Sequence, residues 1–254
     1  MSAHVPPHPV AGPSGVCGAA GPMLVALLSG DEGAVLGLLR QAREKGADLA
    51  EISRGILEPA LAQVGEMWHR GELTEAEEHL ATALVARGVA VLGAGIPTPS
   101  PGSPRILFAC LAGEFHDLGT RIAAEVAREN GWDAENLGAN VPRAALLRFV
   151  AQRRPQAVGL SVSLCAHVPE CLKVCEELRH ELPELKLIVG GFAFRHDPAL
   201  AGAVQADAVP QDVLQLRDWL RRHAGSARPE ASKRPEAPCC LPDGFKKRLC
   251  TPRD

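Results

Sequence analysis

Two periods of apolar spacing divide the chain. Between Met23 and about Gly95, apolar residues recur at helical intervals with no strand-like alternation, which predicts three to four short helices. Asp31 is placed to cap one helix that ends at Gly46. Asp48 is placed to cap a second, whose apolar positions Leu49, Ile52, Ile56, Ala60, Val64 and Trp68 step by three or four until Gly71 closes it. Thr74 followed by Glu77 forms a capping box that opens the next helix, through Leu84, Val85 and Val91. Connections this short favour an antiparallel four-helix bundle.

Beyond GIPTPSPGSP (Gly95 to Pro104), a proline-rich stretch without a periodic face that reads as a linker, the period changes. Arg105–Leu111, Ala157–Val162 and Leu185–Val189 are short, nearly continuous apolar runs separated by helical patterns. With Trp132–Leu137 and Ala206–Val209 counted, the expectation is α plus α/β: a helical cap, then a flavodoxin-like, doubly wound parallel sheet of five strands. The expected division is a disordered tail over 1–22, the cap over 23–95, the linker over 96–104, the α/β domain over 105–223 and a disordered, basic, cysteine-containing tail over 224–254.

Composition narrows the class. Apolar residues make up 46% and charged residues 22%, and no run approaches the roughly 20 apolar residues of a membrane span. No basic leader precedes an apolar core, so a cytoplasmic protein is expected. Net charge is −3, but the segment from Ala224 holds seven Lys/Arg against four Asp/Glu, leaving about −6 for the rest. An acidic body argues against direct, phosphate-driven DNA binding by the folded domains. The eight cysteines lack the paired spacing of a zinc site. Cys171 and Cys175, one helical turn apart, read as small buried hydrophobes, whereas Cys239, Cys240 and Cys250 fall in the tail, open to reaction or adventitious oxidation.

The chemistry concentrates after the first strand, in Gly113-Glu114-Phe115-His116-Asp117-Leu118-Gly119. A carboxylate two residues before a histidine can accept its Nδ1 proton and leave Nε2 free for a metal. Alone, the pattern reads equally as a hydrogen-bonded loop histidine. Two further features fall on the same rim of the sheet: Ser161-Val162-Ser163-Leu164 ends the third strand and Gly190-Gly191 the fourth. Small and hydroxylic residues there leave a slot for a flat heteroaromatic tail, although the two glycines alone also read as a strand-to-loop turn.

In this order the residues resemble the B12-binding domain family of methionine synthases, base-off mutases and related regulators, whose pattern is D-x-H-x-x-G, about 41 residues, S-x-L, a further stretch, then G-G. Here 41 residues separate Gly119 from Ser161, Glu114 stands where most members have Asp, and Ser163 takes the third position of S-x-L with Leu164 one later. The resemblance implies a cobalamin cofactor whose lower cobalt ligand is His116. Glu114, Phe115, Asp117 and Gly119 would surround that ligand. The displaced tail would run past Ser161, Val162, Ser163 and Leu164 toward Gly190, Gly191 and Phe192. His167 and His196, in later rim loops, read as exposed histidines or contacts to the corrin amides; His69 and Trp132 read as surface and packing.

Trp68, nine intervening residues, then Glu78-His79 supply a second signal. By themselves they read as a core anchor and a solvated face. Beside a B12 domain they resemble the cap of the adenosylcobalamin photoreceptor repressors. The resemblance implies that Trp68 and Glu78 contact the upper axial group and that His79 caps the cobalt from above after photolysis. Those repressors carry a helix-turn-helix domain, for which 22 residues before Met23 are too few. The expectation is therefore a cobalamin-binding antirepressor of the stand-alone kind, without catalytic residues, acting through a partner transcription factor. Adenosyl-, methyl- and hydroxocobalamin all remain candidate forms, self-association is open, and a corrinoid methyl carrier is the main alternative.

Overall fold

The computed structural model describes residue 16 and residues 18–225. The tails expected over 1–22 and 224–254, with Cys239, Cys240 and Cys250, fall largely or wholly outside the described residues.

The N-terminal half is helical: α1 Ala20–Leu28, α2 Glu32–Glu44, α3 Leu49–Ile52, a π-helical turn Ser53–Leu57, α4 Glu58–His69 and α5 Glu75–Gly93. Its caps are those of the sequence. Asp31 accepts from Ala34 N–H at 2.9 Å, and capping boxes form at Asp48/Glu51 and Thr74/Glu77. The residues at three- and four-residue steps from Leu49 to Val64 are buried, whereas Trp68, which continues the series, is 44% exposed. What the periodicity does not show is the π-helical turn, which interrupts one otherwise continuous rod from Leu49 to His69.

The second half alternates β1 Arg105–Cys110, α6 Leu118–Glu129, β2 Asp133–Asn136, α7 Arg143–Arg153, β3 Ala157–Ser161, α8 Val168–Glu181, β4 Lys186–Gly190, α9 Phe192–His196 and α10 Val213–His223. The strands are parallel in the order β2-β1-β3-β4. Alternate residues of β1 serve opposite faces: Ile106 and Phe108 join the core under α6 and α10, Leu107 and Ala109 the core under α7 and α8. The order reverses between β1 and β3, which places a ligand crevice above their carboxyl ends.

Among the described residues the sheet has four strands, where five were expected. Ala206–Val209 contributes a single parallel bridge, Ala208 to Ile188. The reason lies in Asp207. Its carboxylate, rather than a backbone carbonyl, accepts the Leu187 N–H at 2.9 Å, and it also holds Arg179 at 2.7 Å and Lys186 at 3.1 Å. Pro210 then removes the next backbone donor.

Burial pushes the Asp207 carboxyl up, but the Leu187 N–H, Arg179 and Lys186 outweigh it and hold the group below its ordinary value. A carboxylate depressed in the fold adds stability above its ordinary range and loses it as pH falls through the lowered value. Thermal melts from about pH 6 to about pH 3 should therefore show the wild type losing more stability than Asp207→Asn, the two converging in acid. Parallel curves would show that Asp207 has no such part.

The cap and the α/β domain share core. Leu49 and Ala50 are buried with the residues under α6 and α10, while Leu118 and Ile122 of α6 pack on the cap core that contains Val85 and Val89. Gly93 closes against the Glu125 side chain. α5 therefore descends alongside α6, and its first turn, with Glu78 and His79, lies toward the ligand-binding rim.

Candidate cobalamin site

β1 runs into a loop built around one carboxylate. Glu114 is fully buried, and its two oxygens are divided between two histidines. Oε1 accepts from His116 Nδ1 at 2.6 Å and from the His116 backbone N–H at 3.2 Å. Oε2 accepts from the Ser163 N–H at 2.7 Å, the Leu164 N–H at 3.3 Å and His167 Nδ1 at 3.3 Å. Burial pushes this carboxyl up, but donation from the His116 ring, the Ser163 and His116 N–H groups and the His167 ring brings it down to about 2. Glu114 is thus ionised and can only accept, which puts the His116 proton on Nδ1. The imidazole is 65% exposed, and its Nε2 makes no hydrogen bond among the described residues.

The longer acid explains the reach. Glu114 ties the β1 loop to the β3 loop and holds both histidines at once. Asn140 completes the frame, accepting the Gly113 N–H on its side chain at 2.9 Å and donating its own N–H to Glu114 O at 2.9 Å, in a left-handed conformation with φ 54°. The sequence placed His167 on the rim, as an exposed histidine or a corrin-amide contact, but not its bond to Glu114, and it gave no sign of Asn140 beyond its position after Gly138.

The other rim residues fall into two groups. Gly119 opens α6 opposite Ser161: a side-chain carbon added there would sit 3.8 Å from Ser161 Oγ, a hydroxyl without a hydrogen bond among the described residues. Phe115, Leu164 and Phe192 stand 68%, 47% and 54% exposed, an apolar rim that a large ligand would cover. Asp117, Val162 and Gly191 are instead engaged by the protein. Asp117 pairs with Arg121 at 2.7 Å, and Val162 is buried with its N–H on Gly190 O and its carbonyl on the Ala193 N–H. Gly191, at φ 103°, lies so close to Val162 that an added carbon would be 2.4 Å from its carbonyl oxygen. Gly190 stands at the end of β4, its added carbon 3.7 Å from Pro210 O.

On the cap, a similar pair forms. His79 Nδ1 lies 2.7 Å from Glu78 Oε2, Glu78 Oε1 accepts from Thr82 at 2.9 Å, and the His79 side chain is 79% exposed. No hydrogen bond or ion pair among the described residues joins Trp68, Glu78 or His79 to the rim below.

The donor set fits a corrin. One imidazole with its distal nitrogen free suits a metal whose equatorial positions a macrocycle fills, and no cluster of three or more His, Cys, Asp or Glu among the described residues is arranged to hold a bare ion. The unpaired Ser161 hydroxyl, left accessible by the missing side chain of Gly119, and the apolar rim suit the cofactor's tail and face.

The fold and site define a cobalamin-binding protein. Residues 104–211 match the B12 binding domain family, and residues 22–92 match a second B12 binding domain family that covers the helical cap. The chain belongs to the B12-binding proteins that join such a cap to a B12 domain. It is 32% identical over 171 residues to the HTH-type transcriptional repressor CarA of Myxococcus xanthus, covering 67% of this chain and 56% of that protein. To the HTH-type transcriptional repressor CarH of the same organism it is 37% identical over 147 residues, covering 57% and 48%. The chain thus spans about half the length of these relatives. The fold matches the Methanosarcina barkeri monomethylamine corrinoid protein with a TM-score of 0.65 at 16% identity, over 79% of this chain and 95% of that one.

Proposed function

We propose that this chain is a cobalamin-dependent transcriptional regulator in which the upper face of the cofactor is the sensing face, light being the signal, and that it acts through a partner repressor as an antirepressor. The observation that carries the reading is the cap: a half-exposed Trp68 and a His79 whose Nδ1 is held by Glu78, near the joined ends of α4 and α5. Cobalamin, when bound, supplies a cobalt with two axial positions and a light-sensitive carbon ligand.

The chain's own residues divide the work. Glu114 fixes the His116 tautomer and aims Nε2 upward as lower ligand. Ser161, its hydroxyl left accessible by Gly119, would receive the tail. Trp68 would cover the upper face of the cofactor, and Glu78, by holding Nδ1, would leave His79 Nε2 free to act as a donor there. With cobalamin bound, His79 would give the cap a nitrogen donor beside the cofactor, and a change in cap position would change the surface offered to the partner. A methyl carrier needs the opposite: a cap that clears the upper face at each turnover, with no replacement ligand. None of these residues is assigned a catalytic role.

The test is an absorption spectrum of the purified protein with adenosyl-, methyl- and hydroxocobalamin, in the dark and after illumination. His79→Ala is expected to bind in the dark as wild type does but to give a different illuminated spectrum. Identical illuminated spectra would remove His79 from the mechanism. A preference for methylcobalamin without a stable illuminated product would reassign the chain to methyl transport.

A further inference from the structure

Two ionic clusters of different quality join the cap to the α/β domain. In the first, Asp48 Oδ2 accepts from Arg217 at 2.8 Å and Arg221 at 3.0 Å, and Glu129 accepts the Leu49 N–H at 2.9 Å while pairing with Arg43. These are formed hydrogen bonds. In the second, four charges alternate: Asp212 to Arg54 at 3.7 Å, Arg54 to Glu58 at 3.4 Å and Glu58 to Arg195 at 3.6 Å. All three are longer than the roughly 2.7–2.9 Å of a charge-assisted hydrogen bond. The π-helical turn lies here, and Ser53 Oγ and Arg54 Nε remain buried without a hydrogen-bond partner among the described residues.

The loose cluster touches the groove. Arg195 lies in α9, the helix that starts immediately after Gly191, and its backbone N–H donates to Gly191 O at 3.2 Å. Its guanidinium lies 5.7 Å from the centre of the exposed Phe192 ring, which stacks on His196. Phe192 therefore links the rim that a ligand would cover to the guanidinium that Glu58 faces, so a tail that displaced Phe192 would disturb that contact. The rod from Leu49 to His69 is about 30 Å long, so a small rotation at its tightly held start carries Trp68 furthest.

We propose that Glu58 and Arg195 form a releasable latch between the cap and the groove, with Asp48 and Leu49 as the fixed pivot, and that filling the groove opens the latch. This rests on the cobalamin reading of the groove. Neither residue is a cofactor ligand; both act as positioning residues that hold the cap in its closed resting place. A latch that must open before the tail can seat lowers apparent affinity by the fraction of molecules that are closed.

The experiment is a double-mutant cycle on cobalamin binding, titrated by absorption in the dark, with amide hydrogen exchange of the cofactor-free proteins. Glu58→Gln and Arg195→Gln should each tighten cobalamin binding about two- to five-fold, and the double variant should gain no more than either single one. In the free proteins, exchange should quicken at the start of α4 and in α9 but not at Leu49. Unchanged, weakened or additive affinities would overturn the latch, and weakening by Arg195→Gln alone would make Arg195 a direct cofactor contact. Wild-type protein that binds no cobalamin at all would overturn the functional reading itself, a result distinct from normal binding with an additive cycle.

Discussion

Replacing His116 by alanine is expected to abolish His-ligated cobalamin binding and to leave the fold intact. The imidazole is 65% exposed, so its removal leaves little cavity, and among the described residues its ring bonds only to Glu114. The loss falls on the cofactor. The spectrum of any residual complex should lack the signature of a nitrogen donor below the cobalt, and affinity should drop by more than the roughly 10- to 100-fold that follows removal of a partner behind a metal ligand. Glu114→Gln provides that lesser case. An amide cannot accept from both histidines as the carboxylate does, so His116 loses its fixed tautomer, and affinity should fall within that range. A His116→Ala protein with an unchanged cobalt spectrum would place the lower ligand elsewhere.

The second large effect is expected at Gly191. Its φ of 103° with ψ of 176° belongs to a region that only glycine occupies comfortably. An added carbon would also lie 2.4, 2.7 and 2.8 Å from the carbonyl oxygen, nitrogen and carbonyl carbon of Val162, backbone atoms that cannot turn aside. Strain and overpacking together should cost about 3 kcal/mol or more in Gly191→Ala, a fall in Tm of about 6–12 °C. Relief of that clash separates the β3 and β4 loops, so cobalamin affinity should fall with stability. Gly37 provides the contrast: it lies on the exposed side of α2 with open space around it, and Gly37→Ala should stabilise by about 0.5–1 kcal/mol. Equal melting temperatures for the Gly191→Ala and wild-type proteins would refute the packing argument.

Much of this molecule was legible along the chain, for reasons that are local. A helix cap needs one side chain and two or three following N–H groups, so Asp31, Asp48, and Thr74 with Glu77 announce themselves. A fully buried parallel strand has no polar face, so β1, β3 and β4 stand out as continuous apolar runs. The Glu114–His116 pair was legible because two residues on one tight loop share a hydrogen bond without help from elsewhere. Glu78 and His79 stood out only through their spacing from Trp68; the hydrogen bond between them came from the structure.

Tertiary structure decided what depends on partners distant in sequence. That Ala206–Val209 makes one bridge instead of a strand follows from Asp207 answering Arg179 and Lys186, and a hydrophobic pattern contains no sign of which carboxylate will take a ladder hydrogen bond. Recruitment of His167 to Glu114 spans 53 residues and exists only because β1 and β3 are neighbours in the sheet. Helical periodicity likewise could not separate Trp68 from the buried series it continues; the end of α4 runs past the cap core, and the ring is left half exposed. Sequence alone thus determined the elements, their caps and the histidine that a local carboxylate holds, since each is settled within a few residues. Which groups meet across the sheet and between cap and groove was decided by packing, because burial and charge pairing act between segments that only the fold makes adjacent.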